Sequence, residues 1–344
     1  MQQFRVILVG CGGISREELK PLTLRDDVEM VALVDPDENR ARQLAQEFQL
    51  TDTAIYPQLE EALLAQTPDV AVDCTPPGCH RQVVTTALAH HCHVLGQKPM
   101  ADSLEDAQAM VEAARRSGRQ YGVIQTVRFN PLHLGLRDFL VDRPFGPLTH
   151  IDTRFFSGLH FPAGDFRLEM PHVLLVDMAI HHFDVMRMLT GSDPASVHCH
   201  DWNPNGSWFA NGANTHAFFK MQDGSHFTYT GSWCAEGGSG LEWSFFGEHG
   251  SLLTRGKKAI VAKRVRSTPG FRSELDELPI QLPHLSPAQL GHAGAVNDFF
   301  DALQAGRSPM CPAEDNYKSF AMVDAAIRSA ETGQEIQLEL PAPV

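Results

Sequence analysis

Hydrophobic and polar positions change rhythm along this chain near residue 126. Before that point, short apolar runs rich in β-branched residues alternate with segments of helical period. Phe4 to Val9, Met30 to Val34, Asp69 to Cys74, His93 to Gly96 and Tyr121 to Thr126 read as buried strands. Glu38 to Phe48, Gln58 to Leu64 and Gln82 to His90 read as helices. So does a segment capped by Asp102 or Ser103 that runs to Ser117 and stops at Gly118. This alternation predicts a doubly wound α/β sheet.

After residue 126 the pattern differs. Arg128-Phe129-Asn130-Pro131 leads into a helix to about Val141, and Leu148 to Phe156 alternates like a strand. Residues 157–172 are irregular, and a helix follows up to Gly191. From Ala195 to Ala262 period-two runs dominate: His216–Met221, His226–Trp233, Glu242–Gly247, Ser251–Thr254 and Ala259–Ala262. Asp223-Gly224 between two of them is a hairpin signal. Arg264 to Pro287 holds four prolines and reads as loop. Helices over about Ala288–Ala305 and Pro312–Thr332 and a strand over Glu335–Leu340 close the chain. The expected division is a Rossmann-type dinucleotide-binding domain over 1–126 and, over 127–344, an α/β domain with a large, mainly antiparallel open sheet. Such a sheet with helices on one side leaves its other face to be covered, and a second subunit is the expected cover. Trp202, Trp208, Phe209, Trp233 and Trp243 lie in this half and could line that interface or a site.

The first candidate chemistry is at the end of the first strand, in Gly10-Cys11-Gly12-Gly13-Ile14-Ser15. A strand, a glycine turn, a helix and a second strand ending in Asp35 make a dinucleotide-binding unit. Gly10 permits the tight turn, and Gly12 lets backbone N–H groups approach a pyrophosphate. The helix N-terminus adds positive potential, and Ser15 is small enough for the helix to lie close to the strand. Asp35 would accept from an adenosine ribose and repel a 2′-phosphate, which favours NAD. Arg40, about one turn further on, leaves NADP use open. Ligands of open α/β sheets bind at the carboxyl ends of the strands. Thr75-Pro76-Pro77-Gly78-Cys79-His80, Gln97-Lys98-Pro99 and Arg128 all fall at that edge. Pro99 biases Lys98 toward an extended backbone.

The second candidate is the stretch DMAIHHFDVMRMLTG, Asp177 to Gly191. On a helix, Asp177, His181, Asp184 and Met188 share one stripe, with Val173 and Ile180 close beside it. A buried stripe with two carboxylates and an imidazole is costly unless it is used. His182 is expected on nearly the opposite side, so the spacing selects His181. In the irregular segment before it, His160 and Arg167 are candidate substrate contacts, as is Trp233 further on.

Composition narrows the classes. The chain has 344 residues, and 28 basic residues stand against 42 acidic for a net charge of −14, with no basic stripe. Nucleic acid and anionic membrane are therefore not expected partners. No long apolar run predicts a membrane span, and Met1 leads directly into a strand with no signal-peptide pattern. Seven cysteines without a Cys-x-x-Cys pair fit buried thiols in a reducing cytoplasm. The residues His160, His172, Asp177, His181 and Asp184 have no specific metal-ligand spacing, and no metal is expected.

These motifs in this order resemble the glucose–fructose oxidoreductase / inositol dehydrogenase (Gfo/Idh/MocA) family over essentially the whole chain. The resemblance rests on Gly10-Cys11-Gly12-Gly13-Ile14, on Thr75-Pro76-Pro77 with His80, and on Gly96-Gln97-Lys98-Pro99-Met100-Ala101. It rests further on Arg128-Phe129-Asn130-Pro131 and on Asp177-x-x-x-His181-x-x-Asp184 with Leu189 and Gly191. It implies an NAD(P)-dependent oxidation or reduction of a sugar, polyol or inositol-like compound in a homodimer or homotetramer. Lys98, Asp177 and His181 match the family's catalytic positions. Cofactor contacts are expected from Gly10, Gly12, Gly13, Ile14, Asp35, Arg40, Thr75, Pro76, Pro77, His80, Gln97 and Lys98, and substrate contacts from Arg128, His160, Arg167 and Trp233. Two departures stand out. The family commonly has Glu where this chain has Gln97, and often glycine where it has Met178-Ala179-Ile180. On this reading His181 is the base, Asp177 holds the imidazole or a substrate hydroxyl, and Lys98 stabilises alkoxide charge. Asp184 is expected to be structural. The rivals are an NAD-dependent glycosidase, which oxidises a sugar transiently, and a non-catalytic nucleotide-binding sensor.

Overall fold

The computed structural model describes residues 2–255, 259–266 and 274–340. It divides into two compact units. The first takes the chain up to Asn130 together with His284–Phe320, and the second takes Pro131–Pro283 and the chain from Ala321 on.

In the first unit, strands β1 (Phe4–Val9), β2 (Val28–Val34), β3 (Ala54–Tyr56), β4 (Val70–Asp73), β5 (His93–Gly96) and β6 (Tyr121–Val123) form one sheet in the order β3-β2-β1-β4-β5-β6. Every pairing is parallel. The connecting helices are α1 (Ser15–Leu22), α2 (Glu38–Glu47), α3 (Leu59–Gln66), α4 (Pro77–Ala89) and α5 (Leu104–Ser117). Parallel strands buried on both faces need continuous apolar runs, and Val6, Ile7 and Leu8 of β1 are fully buried. Ser103 caps α5 by accepting from Asp106 N at 3.1 Å, and Gly118 ends it in the left-handed conformation. One expectation fails at α4. The helix anticipated from Gln82 starts at Pro77, because proline at a first helical position loses no hydrogen bond. The sixth strand also stops at Val123, short of Thr126.

A later helix completes this unit. Helix α8 (Gly291–Ala305, in sequence after all but the last elements) buries Val296, Phe299 and Phe300 among Val6, Leu8 and Leu19. Phe300 meets Phe4 edge-on at 5.5 Å. Each buried phenylalanine contributes roughly 1.5–3 kcal/mol.

The second unit is built on nine strands: β7 (Leu148–Phe156), β8 (Pro194–Trp202), β9 (Asn214–Met221), β10 (His226–Ser232), β11 (Gly240–Gly247), β12 (Gly250–Arg255), β13 (Ala259–Val265), β14 (Leu275–Leu278) and β15 (Ile336–Gln337). Their order is β14-β13-β12-β11-β7-β10-β9-β8-β15, and all pairs are antiparallel except β7 with β10. The segment expected as loop from Arg264 thus contributes the end of β13 and all of β14; its residues 267–273 lie outside the described ones. The closing strand is two residues long.

Helices α6 (Pro131–Leu140) and α7 (Ile180–Thr190) belong to this unit, and α9 (Ala313–Thr332) runs before β15. Strand β9 shows the two faces of the sheet: Thr215, Ala217, Phe219 and Met221 are buried, while His216, Phe218 and Lys220 are exposed. Phe183 of α7 packs edge-on against Phe219, Phe227 and Tyr229 at 5.1, 6.0 and 5.2 Å. No helix among the described residues is long and apolar enough to cross a membrane.

Candidate active site

The glycine loop comes first. Gly10 has φ +87°, and a Cβ there would stand 2.8 Å from the backbone of Cys74 and Thr75, so only glycine fits between β1 and β4. A Cβ at Gly12 or Gly13 would meet nothing within 4 Å. The loop therefore presents bare backbone to open space at the start of α1, which suits a pyrophosphate. Ser15 is buried, and its hydroxyl donates to Gly12 O at 2.6 Å, closing the loop onto the helix. Ile14 takes the N-cap position, partly exposed.

Asp35 ends β2 as expected, but its carboxylate already serves the chain. One oxygen accepts from Cys11 N at 2.8 Å and the other from Asp37 N at 2.9 Å. Each oxygen keeps a second lone pair for a ribose. Burial first, and the Asp35 charge second, push the Cys11 thiol up to about 12, so it stays protonated. Arg40 is exposed and pairs with Asp37 at 3.4 Å.

At the next strand end, Asp73 is fully buried. Its Oδ1 accepts from Thr75 N and Oγ1 at 2.9 and 2.6 Å, which sets the Thr75-Pro76-Pro77 turn. Burial raises the Asp73 pKa, with the nearby His80 and Thr75 opposing. His80 is buried beneath the turn, with Nε2 2.8 Å from Thr75 O and Nδ1 3.3 Å from Met100 O. It thus ties the two loops at the sheet edge from inside. Gln97 is buried and its backbone N donates to Asp73 O at 3.1 Å. Lys98 follows directly, at a cis peptide to Pro99. Arg128 is buried, donating to the Met310 carbonyl and pairing with Asp315 at 2.5 Å.

In the second unit the stretch from Asp177 is more than a plain α-helix. Leu174–Ala179 is a π-helical segment, and α7 begins only at Ile180. The wider turn carries Asp177, and such segments inside helices concentrate at functional sites. Arg167 Nε donates to Asp177 Oδ2 at 2.7 Å. Arg167 also pairs with Asp165 at 3.3 Å and stacks over Phe161 and Phe166 at 5.0 and 4.5 Å. Burial alone would lower the Arg167 pKa, but Asp177 and Asp165 raise it, so the guanidinium stays charged. His181 is 7% exposed and Asp184 is fully buried.

His182, expected on nearly the opposite side of the helix from the His181 stripe, is buried as well. It is buried against the sheet, with Nδ1 3.0 Å from the Tyr229 hydroxyl, and burial drives its pKa down to about 3. The helix is buried on both sides, so His182 is a neutral core group. His160 is exposed, stacked on Trp208 at 3.8 Å and 2.5 Å from Glu236. Trp233 is in the core with Val173, Leu174 and Phe209, and its Nε1 is buried without a hydrogen-bond partner. The last residue of the 157–172 segment, His172, is anchored by Asp201 at 2.7 Å. Among the described residues no group of three or more His, Cys, Asp or Glu is arranged to hold a metal ion.

Sequence reasoning passed over Glu18, which is fully buried in α1 beneath Gln97, and its partner His292 in α8. An adjacent acid, Glu17, shares the same turn, so nothing local singles Glu18 out.

Comparison with known proteins bears on the family and the fold. Residues 4–125 match an oxidoreductase family with an NAD-binding Rossmann fold, and residues 133–253 match the GFO/IDH/MocA C-terminal domain. The chain is 26% identical to 1,5-anhydro-D-fructose reductase of Ensifer adhaerens, over 96% of this chain and 98% of that protein. It is also 26% identical to D-apiose dehydrogenase of Paraburkholderia graminis, over 98% and 91%. The crystal structure of an Agrobacterium radiobacter oxidoreductase in complex with NAD+, L-tartaric acid and magnesium superposes with TM-score 0.84 at 20% identity, covering 98% of each chain.

Proposed function

The chain belongs to the Gfo/Idh/MocA family of NAD-binding oxidoreductases, and on that premise we propose that it transfers hydride between NAD and a sugar, polyol or inositol-like substrate. The observation that carries this reading is the Arg167–Asp177 ion pair, one element before a buried His181. It fixes a carboxylate in the π-helical turn that runs directly into the helix carrying His181.

Gly12, Gly13 and the start of α1 would hold the pyrophosphate, and Asp35 the adenosine ribose. Bound there, the nicotinamide supplies the hydride acceptor or donor. The chain's own groups handle the proton. In the oxidising direction His181 takes it from the substrate hydroxyl, and a positioned base of this kind contributes ~10²–10⁴-fold. Asp177, held by Arg167, orients the imidazole or a neighbouring hydroxyl. Lys98 offers an ammonium to the developing alkoxide. Arg128 is tied to Asp315 and Met310, which suits it to support the turn beside the site. His160 on Trp208 offers an exposed stacking surface for a ring. Homologues named for sugar substrates support a carbohydrate-like ligand. We extend the proposal to a homodimer or homotetramer covering the exposed sheet face, where Phe218 and Phe246 stand open, in a cytoplasmic setting that keeps all seven cysteines free.

The test is a scan with NAD or NADP and a panel of sugars, polyols and inositols, read as absorbance of reduced nicotinamide. A signal with one substrate class that disappears in His181→Ala supports a dehydrogenase. Silence across the panel in both directions, with nucleotide released on denaturation, would point to the glycosidase with recycled NAD. Silence without bound nucleotide would leave a sensor.

A further inference from the structure

Three segments of the first unit converge on a single carboxylate oxygen. Glu18 of α1 is fully buried, and its Oε1 accepts from Gln97 Nε2 at 2.5 Å and from His292 Nδ1 at 2.6 Å. Its other oxygen is buried with no hydrogen-bond partner. A carboxylate placed this way is costly, and its neighbours only partly compensate it. Burial raises the Glu18 pKa against the opposing pull of His292 and Gln97. Burial lowers that of His292, but the Glu18 hydrogen bond and charge outweigh it and raise it. The other charged groups facing the pair are Glu17 on α1 and Lys98 at the end of β5, and the Cys74 thiol, after β4, is also within range.

We propose that Glu18 and His292 are positioning residues for Lys98, with Glu18 supplying from helix α1 the carboxylate that a glutamate at position 97 would otherwise bring. Gln97 precedes Lys98, and its amide can donate to a carboxylate but cannot replace one. Here the carboxylate comes from below, and the Gln97 side chain is the link between it and the lysine turn. His292 closes the arrangement from α8, with its Nδ1 2.6 Å from the same Glu18 oxygen. The proposal rests on Lys98 acting in the reaction proposed above, but the geometry lies wholly within the first unit.

The test labels full-length protein with a trace amine acylating reagent across pH 6–10 and reads Lys98 by mass spectrometry against the exposed Lys20 and Lys220. Melting temperature and NAD binding check that each variant is folded. Glu18→Gln is expected to change relative Lys98 labelling about threefold or more, because it removes the charge while keeping the size. His292→Gln is expected to change it as well, and serves if Glu18→Gln does not fold. The exchange E18Q/Q97E, which returns the carboxylate to position 97, is expected to bring labelling back toward wild type. A packing defect would not be rescued by that exchange. Unchanged labelling in folded Glu18→Gln or His292→Gln protein, or no recovery in the exchange, would overturn the proposal. The readout needs no turnover, so a failed substrate scan leaves it intact.

Discussion

Arg167 reaches from the irregular segment before the helix to Asp177 in the π-helical turn, Nε to Oδ2 at 2.7 Å. The pair joins the short 3-10 turn Phe166–Leu168 to the π-helical turn that runs into the helix carrying His181. Arg167→Ala should therefore lower turnover about 10- to 100-fold, the value of a charge-assisted hydrogen bond at a reacting centre. Arg167→Lys should recover only part, because an ammonium cannot reproduce the stacked, planar fork over Phe161 and Phe166. Equal activity in all three proteins would show that the Arg167–Asp177 pair contributes nothing to turnover.

His181→Ala should lose about 10²–10⁴-fold in kcat while NAD affinity, read by fluorescence titration, stays within about twofold. A variant that keeps most of its rate would mean that another group takes the proton.

Asp35 has two jobs, one toward the nucleotide and one toward Cys11 N and Asp37 N. Asp35→Ser should weaken NAD about tenfold and narrow the gap to NADP. It should also lower the melting temperature, since two backbone donors lose a charged acceptor. A change in cofactor preference with no change in melting would show that the backbone bonds contribute nothing.

His182 is buried as the neutral imidazole, with its pKa driven down to about 3 by burial, below the ~6.5 of an unfolded histidine. Its contribution to stability is present above about pH 6.5 and is lost as pH falls toward about 3. Denaturant titrations should therefore show stability falling through this window, less steeply in His182→Gln. Tyr229→Phe should cost roughly 1–3 kcal/mol at neutral pH by leaving the ring nitrogen without its partner.

His172 behaves in the opposite sense. The hydrogen bond that His172 donates to Asp201 raises its pKa, against the lowering effect of burial. The anchor is complete below about pH 6.5 and is lost as pH rises through the raised value. Hydrogen exchange over residues 157–172 should accelerate on that rise. His172→Gln should exchange fast at every pH, and a wild-type profile in that variant would rule out the anchor.

The elements legible in the sequence are those written in neighbouring residues. Period two marks β9 and β10, the Asp223-Gly224 turn joins them, and Ser103 and Gly118 bracket α5. The glycine loop with Asp35, and Lys98 at the end of its strand, could be placed because a turn between a strand and a helix leaves few choices of residue. The tertiary structure decided what depends on distant partners. Helical spacing alone set His181 and His182 on opposite sides, but only the sheet beneath showed that both sides are buried, with Tyr229 waiting 47 residues away. The π-helical turn at Asp177 has no local signature, because its residues would serve an α-helix equally well; Leu174 and Leu175 within it are fully buried. Glu18 is set apart from Glu17 by His292, 274 residues later, and Arg167 finds Asp177 only once the segment folds back. Local periodicity encodes backbone geometry, whereas burying a charge is a choice made by whichever remote groups can compensate it.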